Sequence, residues 1–191
     1  VVAPSADNPD YTVLGDPTEA CLNVLAEKAG IDLNDNRNWA PRIKEIPFDS
    51  DRKRMTTVHS LEKSLDSSHH ISITKGAPKE VMELCSDYYD GQGAIKSMTA
   101  TERQAILAAN DQFARDGLRV LAVAYRPLES EDIREDKWDM RTLEEDMVFV
   151  GLVAMSDPPR QGVREAIAKC HRASIRIIMV TGDYGLTALS I

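Results

Sequence analysis

Three short runs rich in β-branched residues, Ile43–Phe48, Arg54–Leu61 and Ile71–Lys75, follow one another with only brief polar breaks. That pattern commits this part of the chain to strands. Helical signals lie on both sides of it. Asp16-Pro17 is an N-cap followed by a proline at the first helical position, and Leu22, Leu25, Ala26 and Ala29 then recur at helical spacing until Gly30. Pro78 opens a short helix through Val81, Met82 and Leu84. Thr99-Ala100-Thr101-Glu102 resembles a capping box ahead of a helix running to about Asp116, with Gly117 as its stop. Strands mixed with helices in this way are α+β grammar.

Leu118–Tyr125 and Met147–Met155 read as largely apolar, buried strands. Residues 31–41 read as a loop, as do the turns around Asp66-Ser67-Ser68 and Asp90-Gly91-Gln92-Gly93. The charged stretch 127–145 is expected to be a surface loop with a short helical piece. After Asp157-Pro158-Pro159 the grammar changes. A helix over about 161–172 leads into Ile175–Val180, expected as a compact buried strand, then into Thr181-Gly182-Asp183 and the start of another helix. That succession is α/β, so residues 1–156 and 157–191 are expected to be separate domains.

Composition narrows the function classes. The 191 residues carry 31 acidic and 23 basic side chains, a net charge of −8, which argues against a nucleic-acid-binding surface. No apolar run approaches the roughly 18 residues that suggest a membrane span, and residues 1–10 lack a signal-peptide layout. Cys21, Cys85 and Cys170 are far apart and odd in number, so they are expected to be small buried groups in a reducing environment. His69 and His70 are adjacent and would face opposite sides of a strand, with no other ligand near to complete a metal site.

Four segments carry chemistry. Gly15-Asp16-Pro17-Thr18-Glu19 begins a helix with an acidic first turn. Phe48-Asp49-Ser50-Asp51-Arg52-Lys53-Arg54-Met55 sets an aromatic ring beside a basic cluster, as a purine with phosphates would require. Lys75-Gly76-Ala77-Pro78 puts a cation at a strand end beside a residue that lets a ligand approach the backbone. In Asp116-Gly117-Leu118-Arg119-Val120-Leu121 an arginine enters an apolar strand and needs a carboxylate or a phosphate. Read singly, each has a plainer account: a capped helix, a core ring beside solvated charges, a strand-to-helix turn, an ion pair.

In this order and spacing, and joined by Asp157-Pro158-Pro159-Arg160 and Thr181-Gly182-Asp183, they resemble the nucleotide-binding domain and adjoining phosphorylation domain of P-type ATPases, in particular the calcium-pump-like type II branch. The resemblance runs from about Tyr11 to Ile191. It implies a mostly antiparallel sheet flanked by helices, followed by a short α/β fragment like those of haloacid dehalogenases. It also implies ATP as ligand, with Mg²⁺ supplied once the phosphorylation domain is complete. By that resemblance Phe48 stacks on adenine, Glu19 lies at the adenine edge, and Lys53, Lys75 and Gly76 line the pocket. Arg119 would reach the phosphates, Leu121 the base, and Asp16 and Thr18 the rim. Thr181, Gly182 and Asp183 would sit beside the transferring phosphoryl group, and Asp157 and Arg160 at the crossing between domains.

The chain departs from the family's pattern in ways that bear on activity. It has no D-K-T-G-T segment, whose aspartate is the nucleophile, and no G-D-G-x-N-D-x-P loop, so alone it is expected to bind ATP without forming an aspartyl phosphate. Ser50 stands where close relatives often have arginine, so the phosphate contact is expected to weaken or to pass to Arg52 or Lys53. The implied whole is a membrane pump for a cation, calcium ahead of sodium, potassium or magnesium, with this segment on the cytoplasmic side and actuator, phosphorylation and transmembrane domains as its partners. Two other readings are a soluble haloacid-dehalogenase-like phosphatase, for which D-x-D-x-T is lacking, and a non-enzymatic interaction domain.

Overall fold

Local signals decide where each element starts and stops. The computed structural model describes residues 2–5, 8–13, 15–32, 39–65, 68–129, 132–133, 140–156, 159, 162–182 and 184–190, with side chains from residue 15 onward except at position 64. It divides into two compact units: Val1–Met98 with Ala122–Gly151, and Thr99–Leu121 with Leu152–Ile191.

The first unit opens with an antiparallel pair, β1 (Val2–Ser5) and β2 (Asn8–Val13). Helix α1 (Pro17–Lys28) starts where the sequence places it, because the Asp16 carboxylate accepts from the backbone N–H groups of Thr18 at 2.7 Å and Glu19 at 3.3 Å. Then come β3 (Arg42–Asp49), β4 (Arg54–Leu65) and β5 (Ser68–Gly76), each longer than its β-branched run. Helix α2 (Pro78–Met82) follows, and then a hairpin of β6 (Cys85–Tyr89) and β7 (Ile95–Ser97), which the sequence reading lacks as strands although it finds their turn. That turn is built on Asp90, whose carboxylate accepts from the N–H groups of Gln92 and Ala94 and pairs with Lys96 at 2.8 Å. The Lys96 hydrogen bond, helped by those two N–H groups, pulls the Asp90 pKa down to about 2.

Strands β8 (Leu118–Leu128) and β9 (Met147–Ser156), with the short helix α4 (Met140–Leu143) between them, complete a seven-stranded sheet of order β3-β4-β5-β8-β9-β6-β7. Pairing is antiparallel between β3 and β4, β4 and β5, β5 and β8, and β6 and β7, whereas β6 and β9 run parallel. This is the expected α+β architecture, a mostly antiparallel sheet flanked by helices.

Pleating sorts the side chains onto two faces. One core holds Leu61, Ile71, Tyr125 and Val148; the other holds Val58, Leu128 and Leu143. The second face also buries Thr56, Ser72 and Thr74 completely, a polar stripe that must be satisfied from outside the sheet.

The second unit contains α3 (Ala100–Arg115), N-capped by Thr99, which accepts from the Thr101 N–H and donates its hydroxyl to the Glu102 carboxylate. It also holds α5 (Val163–Arg172) and α6 (Gly185–Ser190). Thr187 donates to the Leu118 carbonyl at 3.1 Å, Ser190 to the Ala114 carbonyl at 3.2 Å, and Tyr184 to Asp111 at 3.0 Å, fastening α6 along α3.

Two expectations are corrected. Ile175–Val180 is not a strand: no described strand pairs with it, and Val180 is 92% exposed. A buried parallel strand exists only between hydrogen-bonding neighbours with both faces covered, and the described residues supply neither. The cysteines are not uniformly buried either, since Cys21 is exposed and Cys170 half-buried, leaving Cys85 inside. Cys21 occupies the outer side of α1, where a helix with one apolar stripe must leave some small side chains in water. The expected domain change at Asp157 falls on a residue outside those described. No helix among the described residues is long and apolar enough to cross a membrane.

Candidate functional site

The segment from Phe48 to Met55 is a strand end, a tight turn and a strand start, and its own polar groups lock it. The Asp49 carboxylate accepts from the N–H groups of Asp51 at 2.9 Å and Arg52 at 2.8 Å, and the Lys53 N–H donates to the Asp49 carbonyl at 2.6 Å. The Arg52 N–H bond is the main reason the Asp49 carboxyl sits below its ordinary pKa. Lys53 is left-handed, with φ of 51°, a conformation that costs a lysine about 1 kcal/mol or more. It is retained because the Lys53 carbonyl accepts from the Ala77 N–H at 2.9 Å, which ties the turn to the end of β5. A Cβ at Gly76 would lie 2.4 Å from that carbonyl oxygen and 2.6 Å from the Arg54 Cβ. The room glycine leaves at position 76 is therefore filled by the turn itself.

The register carries the chemistry onto one face. A β-bulge between Ile46 and Asp49 sets two residues of β3, Pro47 and Phe48, against the single residue Met55 of β4. Met55 pairs with Lys75 of β5, and Lys75 with Val123 of β8. Phe48, Met55, Lys75 and Val123 thus form one row across four strands. Phe48 is 64% exposed, a large ring held in water at the sheet edge. From α1, Glu19 reaches over to Lys75, with Oε2 and Nζ 2.5 Å apart. The Lys53 ammonium lies 2.7 Å from Glu80 on α2.

The opposite face satisfies its polar stripe with Glu144. This carboxylate, its side chain 3% exposed, accepts from Arg52 at 2.7 and 2.9 Å, from Arg54 at 2.8 Å and from the Thr56 hydroxyl at 2.7 Å. Thr74 in turn donates to Thr56 at 2.7 Å, and Ser72 donates to the Leu143 carbonyl at 2.9 Å. Burial alone would raise the Glu144 pKa, but Thr56 and the two guanidinium groups outweigh it and hold the carboxyl below its usual range.

Of the expected site residues, Glu19, Phe48, Lys53, Lys75 and Gly76 come together in the first unit, with Asp16 and Thr18 at the adjoining helix start. Arg119 and Leu121 lie half-buried on β8 within the second unit, which also contains the exposed residues Thr181 and Gly182. Asp157, Arg160 and Asp183 lie outside the described residues. Arg52, expected as a possible phosphate contact, is instead committed to Glu144. Sequence reasoning missed Met55, Glu80 and Glu144. Met55 could have been found from strand alternation with Lys75. Glu144 heads three consecutive acids, Glu144-Glu145-Asp146, and nothing local in the sequence sets it apart from the other two. Among the described residues no group of three His, Cys, Asp or Glu side chains is placed to hold a metal ion.

The arrangement offers an exposed ring, an apolar neighbour and two lysines around one sheet end, a chemistry suited to a flat base carrying phosphates. Comparison with known proteins points the same way. The model of the P-type ATPase cytoplasmic domain N, in the cation-ATPase group, matches residues 1–162. A calcium-transporting ATPase of Bacillus cereus is 38% identical over 177 residues, covering 93% of this chain and 19% of that protein. A calcium-transporting ATPase of Listeria monocytogenes is 39% identical over 184 residues, 96% of this chain and 20% of that protein. The sodium/potassium-transporting ATPase subunit alpha-1 of Oreochromis mossambicus is 33% identical over 183 residues, 94% of this chain and 18% of that protein. The chain spans about a fifth of the length of these relatives.

Proposed function

This chain belongs to the P-type ATPases, in the part that forms their cytoplasmic domain N, and from that premise we propose that its first unit binds ATP for a cation-transporting membrane pump. The observation that carries the reading is the row Phe48–Met55–Lys75, with Lys53 in the locked turn beside it. In this reading Phe48 stacks on the purine and Met55 packs at its edge. Stacking tolerates small displacements of the base, so an exposed ring at a sheet edge is a workable platform. Glu19 accepts from the exocyclic amine, and the lysines draw in the phosphates.

The phosphate grip differs from that of a relative with arginine after the stacking ring. Position 50 is serine, and Arg52 is held by a buried carboxylate, so Lys53 and Lys75 carry this part of the charge. Weak binding of ATP by the isolated chain follows. Arg119 is proposed to contact phosphate and Leu121 the base. Thr181, Gly182, Asp183, Asp157 and Arg160 are proposed to serve the phosphoryl group once the phosphorylation domain is complete, with Mg²⁺ bridging the phosphates there. The chain itself is expected to bind ATP without becoming phosphorylated. The proposed cargo is calcium, the ion named in two of the three relatives described, and the remaining domains of the pump are the proposed partners, with this segment on the cytoplasmic side.

Calorimetric titration with ATP tests the reading. Saturable binding is expected, weakened about tenfold or more by Phe48→Ala, in line with roughly 1 to 3 kcal/mol for a stacked base, and by a similar factor by Lys75→Ala. Equal affinity in the wild type and both variants would remove the pocket from consideration.

A further inference from the structure

Four cations of the first unit, at and beside the candidate site, already have a carboxylate. Arg52 and Arg54 share Glu144, Lys75 has Glu19, and Lys53 has Glu80. These pairs differ in how readily they can be exchanged. The Glu144 carboxylate is buried beneath the sheet and hydrogen-bonded on both oxygens, so it cannot yield to a solute. The Lys53–Glu80 pair stands at the surface, with side chains 56% and 25% exposed, and its attraction is correspondingly weak and screened. The Lys53 backbone is fixed by the turn, so its ammonium sweeps a limited arc that contains Glu80. A ligand phosphate at Lys53 must displace that carboxylate and then lie close to it.

We infer that Glu80 is a resident competitor for the nucleotide's phosphates at Lys53, an affinity-setting residue that discriminates against charge on the ligand. The inference rests on the nucleotide reading above. Glu80 is ionised at neutral pH: burial acts to raise its pKa, but the Lys53 hydrogen bond, its own backbone N–H and the charges of Lys53 and Lys79 together hold it below the ordinary value. Glu80 is bonded to the cation itself, so its influence scales with ligand charge. Removing it strengthens the hold on a triphosphate and leaves an uncharged nucleoside nearly unaffected.

The experiment compares ATP and adenosine as probes, by calorimetry or NMR titration, on the wild-type chain, Glu80→Gln, Lys53→Met and the double variant. Glu80→Gln is expected to bind ATP about three- to tenfold more tightly, raising the ratio of ATP to adenosine affinity by that factor, and the gain is expected to shrink as salt rises from about 20 to 200 mM. In the Lys53→Met background the same change is expected to give less than a twofold gain. An unchanged ATP-to-adenosine ratio in Glu80→Gln overturns the inference, as does an undiminished gain without Lys53. If instead neither probe binds the wild type saturably, the nucleotide reading itself fails, a result distinct from both.

Discussion

Replacing Glu144 by alanine is expected to remove about 3 to 5 kcal/mol of stability, the range for deleting one partner of a buried ion pair. Three donors converge on this carboxylate, two of them guanidinium groups, and its side chain is almost wholly buried. Alanine would strand Arg52 and Arg54 against the polar stripe of Thr56 and Thr74 and leave the Thr56 hydroxyl without its acceptor. A domain is usually stable by only about 5 to 15 kcal/mol, so a marginally folded protein is the expected product. Urea unfolding followed by circular dichroism measures it. A loss below about 1 kcal/mol would mean that water or other side chains take over both arginines. The same group sets an acid limit. A carboxyl with a depressed pKa contributes stability that is present above its unfolded value, near 4.5, and is lost as pH falls through the lower folded value. Glu144→Gln should therefore flatten the acid side of the stability profile below about pH 4.5.

Gly76→Ala is expected to damage fold and site together. The added methyl group meets the Lys53 carbonyl oxygen at 2.4 Å and the Arg54 Cα at 2.7 Å, both backbone atoms with no rotamer to escape into. Relief requires the turn to move away from β5, breaking the Ala77–Lys53 hydrogen bond and shifting Lys53 relative to Phe48 and Lys75. Overpacking of this kind costs about 1 to 3 kcal/mol or more, and a displacement near 1 Å at a binding group accounts for a loss of ATP affinity of about tenfold. Gly91→Ala is the control. Its φ of 78° also disfavours alanine, but no atom lies within 4 Å of the added Cβ, so a loss of about 1 kcal/mol with unchanged ATP affinity is expected. Wild-type affinity in Gly76→Ala would show that close approach at this glycine does not position the site.

What could be read in advance follows from how local each signal is. The N-cap at Asp16, the N-cap at Thr99 and the β-branched runs announce themselves within a few residues, and the structure has all of them. Cys85–Tyr89 and Ile95–Ser97 are short and carry no alternating apolar pattern, and they become strands only because β9 offers an edge to β6. Ile175–Val180 errs in the other direction, a strong apolar run that no strand among the described residues joins. At the site, Phe48, Lys53 and Lys75 were legible as residue types that suit a nucleotide. The role of Glu144 was not, because charge in a stretch of mixed polarity gives no clue that a sheet face far away in sequence presents two arginines and a threonine to it. Gly76 was legible as a close approach, but whether ligand or chain fills the space depends on the turn geometry.

The parallel pairing of β6 with β9 has a bearing on how the molecule is made. As the chain leaves the ribosome, β3, β4 and β5 can zip together in order, each strand meeting a partner just synthesised. The β6–β7 hairpin has no such welcome: α3 and β8 must be translated before the residues around Met147 arrive to receive it. For that interval the nascent protein is a half-sheet with a detached ribbon, and its late closure makes this the stretch on which a chaperone would find most to hold.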